Sequence, residues 1–389
     1  MSEIKKLYLE LCMSSVFHNV LKKPLLLHLS KYVNATDEGE KIKAYSAMIS
    51  VVYDEGGSLT DAVMRLVFED ENTYIKLRAH GREISPELSE AVHHELVSFE
   101  RLAALTPTDF AEDMAISYVS PFESHCLDFC AEYEKRISNV SRYGYGIFAG
   151  YSMFRLENDG SILPIISADK TTLDKFIGYE SERNSVIKNT RAFIDGKPAA
   201  NVLLCGDAGT GKSSTVKAIA NEFYESGIRL IELRKDQLSS LPYVMGRISD
   251  NPLKFIIFID DLSFNKNDDN FSMLKAALEG SASAKADNAV IYATSNRRHI
   301  VKETFDDREG GDVHRNDTMQ EKLSLSERFG LVVYYGKPSK ALYLRIVREL
   351  AERCGIVADD SLDIKAEEFA LRRGNRSARC AEQFIKSLI

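Results

Sequence analysis

The chain has 389 residues, of which 44% are hydrophobic and 28% are charged, so it is long enough to bury more than one core. Its formal net charge of -8 argues against a surface coated in basic patches for wrapping nucleic acid, although it does not exclude a local basic stripe. The six cysteines are scattered, without the spacing of a disulfide framework or a zinc site, so we expect reduced thiols.

The first 137 residues have the apolar periodicity of helices, with breaks at glycines and at a proline. Charged residues interrupt the leucines of residues 1–29, so we predict neither the uncharged core of a signal peptide nor a membrane span there. We therefore expect a cytoplasmic protein with a helical N-terminal domain at residues 1–137. The pattern does not indicate what this domain does.

Residues 138–172 differ in composition, since they are rich in aromatic and β-branched side chains. The tripeptide Asn158-Asp159-Gly160 is a strong hairpin signal, because these residue types favour the tight turn between two antiparallel strands. We predict a small β connector for this segment.

From residue 173 to residue 337, short apolar runs alternate with amphipathic helical segments. This alternation predicts an α/β domain built on a five-stranded parallel sheet with helices on both faces. Residues 338–389 are charged and helical in pattern, with Gly355 placed to end the first helix. The five runs predicted as strands are NVLLCG, IRLIEL, FIIFIDD, AVIYATSN and LVVYYG.

A phosphate-binding motif stands between the first of these strands and the helix that follows it. Residues 206–213, GDAGTGKS, fit the P-loop pattern G-x-x-x-x-G-K-[ST]. Glycines let backbone N–H groups turn inward around phosphate oxygens, and the helix N-terminus adds partial positive charge. We expect Lys212 to reach the outer phosphates and Ser213 to bind magnesium. The predicted phosphate-binding residues are Gly206, Asp207, Ala208, Gly209, Thr210, Gly211, Lys212, Ser213 and Ser214.

A second acidic motif, in KFIIFIDDL, follows a predicted buried strand. Hydrolysis needs a carboxylate beside the phosphates as well as a cradle for them. We predict that Asp260 holds magnesium through water and that Asp261 orients or deprotonates the attacking water. The alternative is that two acids after a strand only begin a solvated loop.

With these motifs the chain resembles the AAA+ ATPases over residues 173–389. LDKFIGYESERN looks like the segment before the P-loop in that superfamily, where Ile177 and Gly178 would contact the adenine. IYATSNRR resembles the sensor 1 strand, with Asn296 in the polar sensor position. The resemblance implies an α/β P-loop NTPase that uses ATP and Mg²⁺, with residues 338–389 as a helical lid.

Two further segments resemble arginine motifs of the superfamily. SLSERFG is similar to the arginine-finger segment, which would place Arg328 at the subunit edge and implies a homo-oligomer. The alternative is a surface arginine paired with Glu321 or Glu327. RRGNRSAR resembles sensor 2, with Arg376 in contact with the γ-phosphate; Arg379 lies on a similar helix face and stays an alternative.

The match narrows to a bacterial family called domain of unknown function 815. Its resemblance is carried by GDAGTGKSS, IDDLSF, ATSNRRH, EKLSLSERFGL and RRGNRSARCAEQFIKSL. The family implies a helical N-terminal region, a single AAA+ module and ATP binding, and it predicts hydrolysis, but it lends no substrate. Among better-known relatives, FIDDLSF and SERFG are most similar to DnaA-type replication initiators and helicase loaders.

The second acidic motif departs from most AAA+ motors, which have Asp-Glu where this chain has Asp260-Asp261. Because the second carboxylate is one methylene shorter, we expect a slow, switch-like ATPase. We favour an assembly that remodels a protein client, since the net charge is acidic. The alternatives are an initiator-like or loader-like switch on nucleic acid, and a nucleotide-dependent scaffold with negligible turnover. We expect no membrane partner.

Three other stretches of the sequence could have functional roles. HHELVS begins like a zinc-protease helix at His94-Glu95, but Ser98 stands where the second histidine should be, so we predict an amphipathic helix. The polar stretch 302–320 is predicted to be a mobile surface loop near the subunit edge. Arg297, Arg298 and His299 follow the sensor 1 motif and are either contacts to a neighbour or to phosphate, or a solvated turn.

Overall fold

The computed structural model of the chain describes residues 2–263, 269–278, 286–296 and 328–389. The chain divides into two compact units, Met1–Gly150 and Tyr151–Ile389. The predicted loop at 302–320 and the three residues 297–299 lie outside the described residues.

The first unit is helical, as predicted for the N-terminal region. Side chains cap most of its helices: Ser2, Asp37, Ser58, Asn72 and others each accept a hydrogen bond from a backbone N–H of the first turn. Buried apolar residues of these helices form one continuous core. The helices are α1 (Glu3–Cys12), α2 (Pro24–Asn34), α3 (Glu38–Asp54), α4 (Leu59–Phe68), α5 (Thr73–Ala79), α6 (Pro86–Ala103), α7 (Pro107–Met114), α8 (Phe129–Ile137) and α9 (Val140–Tyr143).

A buried carboxylate fixes the loop after α1 in this unit. Glu95, on α6, is only 8% exposed. It accepts hydrogen bonds from the backbone N–H groups of Ser15 (2.8 Å), Val16 (3.1 Å) and Phe17 (2.9 Å), and from the Ser15 hydroxyl. The glutamate of HHELVS therefore acts as a structural anchor within a helix.

The second unit is built on one sheet. Its strands are β1 (Met153–Leu156), β2 (Ile162–Pro164), β3 (Val202–Gly206), β4 (Ile228–Leu233), β5 (Lys254–Ile259), β6 (Ala289–Ser295) and β7 (Leu331–Tyr335). The order across the sheet is β2-β1-β4-β5-β6-β3-β7, and every neighbouring pair is parallel except β1 with β2. Strands β3 to β6 are almost completely buried, which explains their continuous apolar sequences.

The prediction of five strands is wrong, because the sheet described here has seven. The predicted hairpin does form across Asn158-Asp159-Gly160, but its first strand pairs with β4, with Met153 opposite Leu230. Without β1, the buried strand β4 would be an open edge. Met153, Phe154 and Leu156 are buried in the same contact, so the segment predicted as a connector completes the sheet.

Helices flank the sheet and form a separate cluster at the C-terminal end of the chain. Buried residues of the last three helices, including Tyr343, Ile346 and Phe384, form a core that also contains Ile177. The helices of this unit are α10 (Glu180–Ile194), α11 (Lys212–Glu222), α12 (Leu241–Ile248), α13 (Asp269–Leu278), α14 (Lys340–Arg353), α15 (Asp360–Arg372) and α16 (Ala378–Lys386).

The described helices were compared with the length and hydropathy of membrane-spanning helices. None of them combines the length and the apolar composition that crossing a bilayer requires.

The Glu95 anchor generates a prediction about the first unit. Glu95→Ala removes the acceptor of three adjacent backbone N–H groups, and hydrogen bonds to a charged group contribute about 2 kcal/mol each. We expect the amides of residues 15–17 to exchange with solvent at least about 10-fold faster, measured by hydrogen exchange and mass spectrometry. Glu90→Ala is the matched control, because Glu90 lies on the same helix with a side chain 74% exposed. Equal protection in both variants would contradict the anchoring role.

Candidate functional site

The predicted P-loop follows β3 at the carboxyl edge of the sheet. Gly206 ends the strand with φ +133° beside the parallel strand β7, and a Cβ at this position would lie 2.0 Å from Tyr335 O. Asp207 N donates to the same carbonyl oxygen (3.0 Å), which fixes the start of the loop. Thr210 Oγ1 donates to Asp207 O (2.9 Å) and closes it. Helix α11 then begins at Lys212, with its N-terminus at the loop.

Lys212 is a buried cation, with only 5% of its surface exposed. Its Nζ donates to Gly206 O (3.1 Å), Asp207 O (2.7 Å) and Asn296 Oδ1 (3.0 Å). Burial lowers the pKa of Lys212 from its ordinary value, while the neighbouring carboxylates of Asp207 and Asp260 oppose this effect. Within the described residues, the ammonium group of Lys212 is therefore hydrogen-bonded only to uncharged oxygens. The oxygens of a polyphosphate could take the place of these partners.

The two acids after β5 meet the P-loop helix, as the sequence predicts for strand ends at one edge. Ser213 Oγ donates to Asp260 Oδ1 across 2.6 Å. The donated proton leaves the lone pairs of the serine oxygen available to a cation. Asp260 Oδ1 also accepts from Asp261 N (3.1 Å) and from the hydroxyl of Thr294.

Asp261 has a left-handed backbone conformation, with φ +53°, which is uncommon for a residue with a side chain. Two contacts stabilise it. Its N–H donates to Thr294 Oγ1 (3.0 Å), and its carboxylate Oδ1 accepts from Asn296 Nδ2 (2.8 Å). Because Asn296 Oδ1 accepts from Lys212, one amide side chain connects the P-loop lysine to the second acid.

Sequence reasoning missed Thr294, which is 2% exposed on β6. Its hydroxyl donates to Asp260 and accepts from Asp261 N, and its carbonyl accepts from Leu262 N (2.7 Å), so it fixes the turn that carries both acids. The available signal was its place in AVIYATSN, two residues before Asn296, because residues i and i+2 of a strand point to the same face.

A cavity of about 490 Å³ lies beside the P-loop, between the sheet and the C-terminal helices. Gly209, Thr210, Gly211 and Ser214 are among the residues that line it. Ile177 lines it as well, whereas Gly178 packs against α14, where a Cβ would lie 2.6 Å from Leu342 Cδ1. Phe176, Ile346 and Leu350 give the cavity an apolar wall.

The two candidate sensor arginines of the C-terminal helices have different surroundings. Arg376 forms a two-point ion pair with Glu367, at 3.0 and 2.8 Å, which raises the pKa of Arg376. Arg379, on the first turn of α16, lines the cavity, and its backbone N–H donates to Gly209 O (3.3 Å). The structure therefore brings Arg379 to the P-loop and holds Arg376 within the C-terminal helices.

Arg328 lies near the amino end of β7, whereas the P-loop follows the carboxyl end of the neighbouring strand β3. Arg328 precedes β7, whose first residue Leu331 pairs with Val202, whereas Tyr335 at the far end pairs with Gly206. Four residues of strand separate these ends, which is roughly 13 Å. The structure therefore does not bring Arg328 to Lys212 of the same chain. Its proposed partners Glu321 and Glu327 lie outside the described residues.

Comparison with known proteins identifies one family. The sequence model of the family described as "Protein of unknown function (DUF815)" matches residues 149–389, more than half of the chain, and confirms the resemblance predicted from the motifs. Two solved structures are similar over 56% of this chain and 72% of theirs: the Thermotoga maritima RuvB Holliday junction branch migration motor (14% identity, TM-score 0.31) and a substituted form of it (15%, 0.32). No curated protein matches the chain.

The close approach at Gly206 generates a prediction about the loop. Gly206→Ala places a methyl group against Tyr335 O at a φ that disfavours alanine, and such overpacking costs about 3 kcal/mol. We expect faster hydrogen exchange of the β3 amides and a lower thermal unfolding midpoint. Gly246→Ala is the control, because a Cβ on this residue of α12 meets nothing within 4 Å and alanine favours helix by about 1 kcal/mol. A Gly206→Ala variant as stable as the unsubstituted chain would show that the loop differs from this description.

Proposed function

We propose, since the chain belongs to the family described as protein of unknown function DUF815, that it is an AAA+ ATPase that binds ATP with Mg²⁺ and hydrolyses it to ADP and phosphate. The observation that carries the proposal is a set of hydrogen bonds at the carboxyl ends of the strands. Ser213 donates to Asp260, and Asn296 connects Lys212 to Asp261. A phosphate cradle, a metal-binding pair and a carboxylate for water are the parts that phosphoryl transfer requires.

The residues present fit a magnesium–triphosphate ligand. The P-loop contributes backbone N–H groups at a helix N-terminus, and Lys212 Nζ can exchange a carbonyl partner for a phosphate oxygen. Ser213 Oγ and Asp260 provide oxygen ligands, the kind that Mg²⁺ prefers. The apolar wall of the cavity suits a planar base. Bound magnesium would neutralise charge on the phosphate oxygens.

In the proposed reaction, each residue of the site has one task. Lys212 and the loop amides hold the charge of the phosphates, and Ser213 and Asp260 hold the metal. Asp261 Oδ1 is bonded to Asn296, whereas its Oδ2 has no partner in the part of the chain described here, so we assign Oδ2 as the acceptor of the proton from the attacking water. Asn296 orients that carboxylate and, through Lys212, links its position to the phosphates.

We further propose that turnover requires assembly. If Arg328 stabilises the transferring phosphoryl group, a neighbouring chain must supply it, because it lies roughly 13 Å along the sheet from its own P-loop. The shorter carboxylate of Asp261 supports slow turnover, below about 10 per second, the median for enzymes. The acidic net charge supports a protein client over nucleic acid, and remodelling or switching that client is the proposed use of hydrolysis.

The principal test separates binding from turnover. Lys212→Ala should weaken ATP binding strongly in calorimetry, because it removes the cation of the cradle. Asp261→Asn should bind ATP with affinity similar to that of the unsubstituted chain but lose about 10²- to 10⁴-fold in turnover, since it removes the base. Lys217→Ala is the matched control, because Lys217 lies on the same helix and pairs with Glu232 (3.3 Å) away from the loop.

An unsubstituted chain that shows no heat of association with ATP and magnesium at millimolar concentration would overturn the proposed function. Binding without turnover, at every chain concentration tested, would reduce the protein to a nucleotide-dependent scaffold. Salt-sensitive retention on DNA would favour the switch on nucleic acid over the protein client.

The lid arginine gives a second test. The sequence favours Arg376 as the residue that contacts the γ-phosphate, but the cavity position of Arg379 leads us to propose Arg379 for this role. Arg379→Ala should lower ATP affinity or turnover at least about 10-fold, the effect of one lost charge-assisted hydrogen bond. Arg376→Ala should instead lower the thermal stability of the C-terminal helices, because it breaks the pair with Glu367. The reverse pattern in these two measurements would return the sensor role to Arg376.

A further inference from the structure

Arg183, on the first turn of α10, is a buried cation that the proposed mechanism does not use. Its side chain is only 7% exposed, yet it lines the cavity beside the P-loop. One of its terminal nitrogens donates to Gly178 O, and its guanidinium lies 5.4 Å from the centre of the Phe176 ring. Among the described residues, no carboxylate forms an ion pair with it.

A guanidinium carries five N–H donors, and the bond to Gly178 O uses one of them. Buried polar groups in folded proteins almost always have partners, and a buried charge without one is costly. Burial lowers the pKa of Arg183 from its ordinary value, which reflects the loss of water around the cation. Because Arg183 is also one of the residues that line the cavity, a ligand that offers acceptor atoms is the partner this arrangement lacks.

The side chains around Arg183 indicate which part of a bound nucleotide it would contact. Phe176 and Ile177 from the segment before α10, with Ile346 and Leu350 from α14, give this region of the cavity apolar and aromatic surfaces. Such surfaces suit a flat heterocycle better than a phosphate. The phosphate groups already have Lys212 and the loop amides, and the Phe176 ring borders the loop, since a Cβ on Gly211 would lie 3.6 Å from it.

We propose that Arg183 is a specificity-determining residue that donates hydrogen bonds to acceptor atoms on the edge of the nucleotide base. The inference rests on the proposed function and adds the group that recognises the base to the residues that hold the phosphates. The bond to Gly178 O and the contact with Phe176 pre-orient the planar guanidinium, so little side-chain freedom is lost on binding.

The test compares a ligand that has the base with one that lacks it. Magnesium–ATP and magnesium–tripolyphosphate are each titrated calorimetrically into the full chain and into Arg183→Met, which keeps the length of the side chain without its donors. We expect ATP affinity to fall about 10- to 100-fold, the value of a hydrogen bond to a charged group, while the affinity for tripolyphosphate stays within about 2-fold.

The matched control is Arg191→Met. Arg191 lies two turns further along the same helix and contacts an aromatic ring in the same way, 5.8 Å from the centre of Phe223, but it is not among the residues that line the cavity. Its substitution should leave both affinities unchanged. If the unfolding midpoint of Arg183→Met falls, Arg183→Gln takes its place, because glutamine keeps an N–H donor for Gly178 O; the same selective loss is expected.

An equal loss of affinity for both ligands would overturn the inference, because it would show that Arg183 serves the phosphates. No loss for either ligand would overturn it as well. Both of these results leave the proposed ATPase intact, since the unsubstituted chain would still bind ATP. Failure of the unsubstituted chain to bind ATP refutes the proposed function itself and, with it, the role of Arg183.

Discussion

The candidate site depends on a single carboxylate oxygen. Asp260 Oδ1 accepts hydrogen bonds from Ser213 Oγ, from Asp261 N and from the Thr294 hydroxyl, so it connects the helix after β3, the turn after β5 and the strand β6. These segments meet because β5 and β3 both flank β6, and all three strands run parallel. Ligand sites in such sheets form where the carboxyl ends of strands meet. The order of the strands in the sheet therefore determines which residues meet at the site.

Charge balance explains how this edge is stable with a lysine buried in it. Three oxygens accept from Lys212 Nζ, two from loop carbonyls and one from Asn296, and the carboxylates of Asp260 and Asp261 oppose the effect of burial on its pKa. A buried cation without such partners would be strongly destabilising. The carbonyl contacts also keep the ammonium group where incoming phosphate oxygens would meet it. Because Asn296 contacts both Lys212 and Asp261, a change at the cradle alters the surroundings of the second acid.

Local patterns predicted the parts of the fold that depend on local chemistry. The glycine-rich P-loop, the five predicted strands (β3 to β7) and the helical N-terminal region each have a sequence period or a fixed motif, and each is present. The number of strands could not be predicted in this way, because the pairing of Met153 with Leu230 joins residues that are distant in the sequence. A hairpin signal at Asn158-Asp159-Gly160 indicates two strands but carries no information about which sheet they join.

In the site, too, the residues in local sequence motifs could be predicted, whereas those whose surroundings depend on long-range packing could not. Lys212, Ser213, Asp260 and Asn296 stand in motifs of fixed spacing, and the structure brings them within hydrogen-bonding distance. The surroundings of an arginine depend instead on how helices pack. Arg376 finds Glu367 nine residues earlier in the chain, and nothing in RRGNRSAR distinguishes it from Arg379, which reaches the cavity. Arg183 falls within LDKFIGYESERN, but that resemblance assigns the adenine contact to Ile177 and Gly178, so only its burial beside Phe176 marks it.

Contacts join the P-loop and the segment before α10 to the C-terminal helices. Arg379 N donates to Gly209 O of the P-loop, and Leu342 packs on Gly178. On the outside, Arg345 forms an ion pair with Glu180 (2.9 Å), but exposed pairs contribute little, about 0 to 1 kcal/mol. The helices α14 and α16 are therefore joined to the P-loop and to the segment before α10, where Ile177 is buried in their core and Arg353 donates to Lys175 O (2.7 Å). A ligand that contacts the P-loop, Arg183 and these helices together would stabilise this arrangement in proportion to its own affinity, because binding energy adds to the stability of the state that binds.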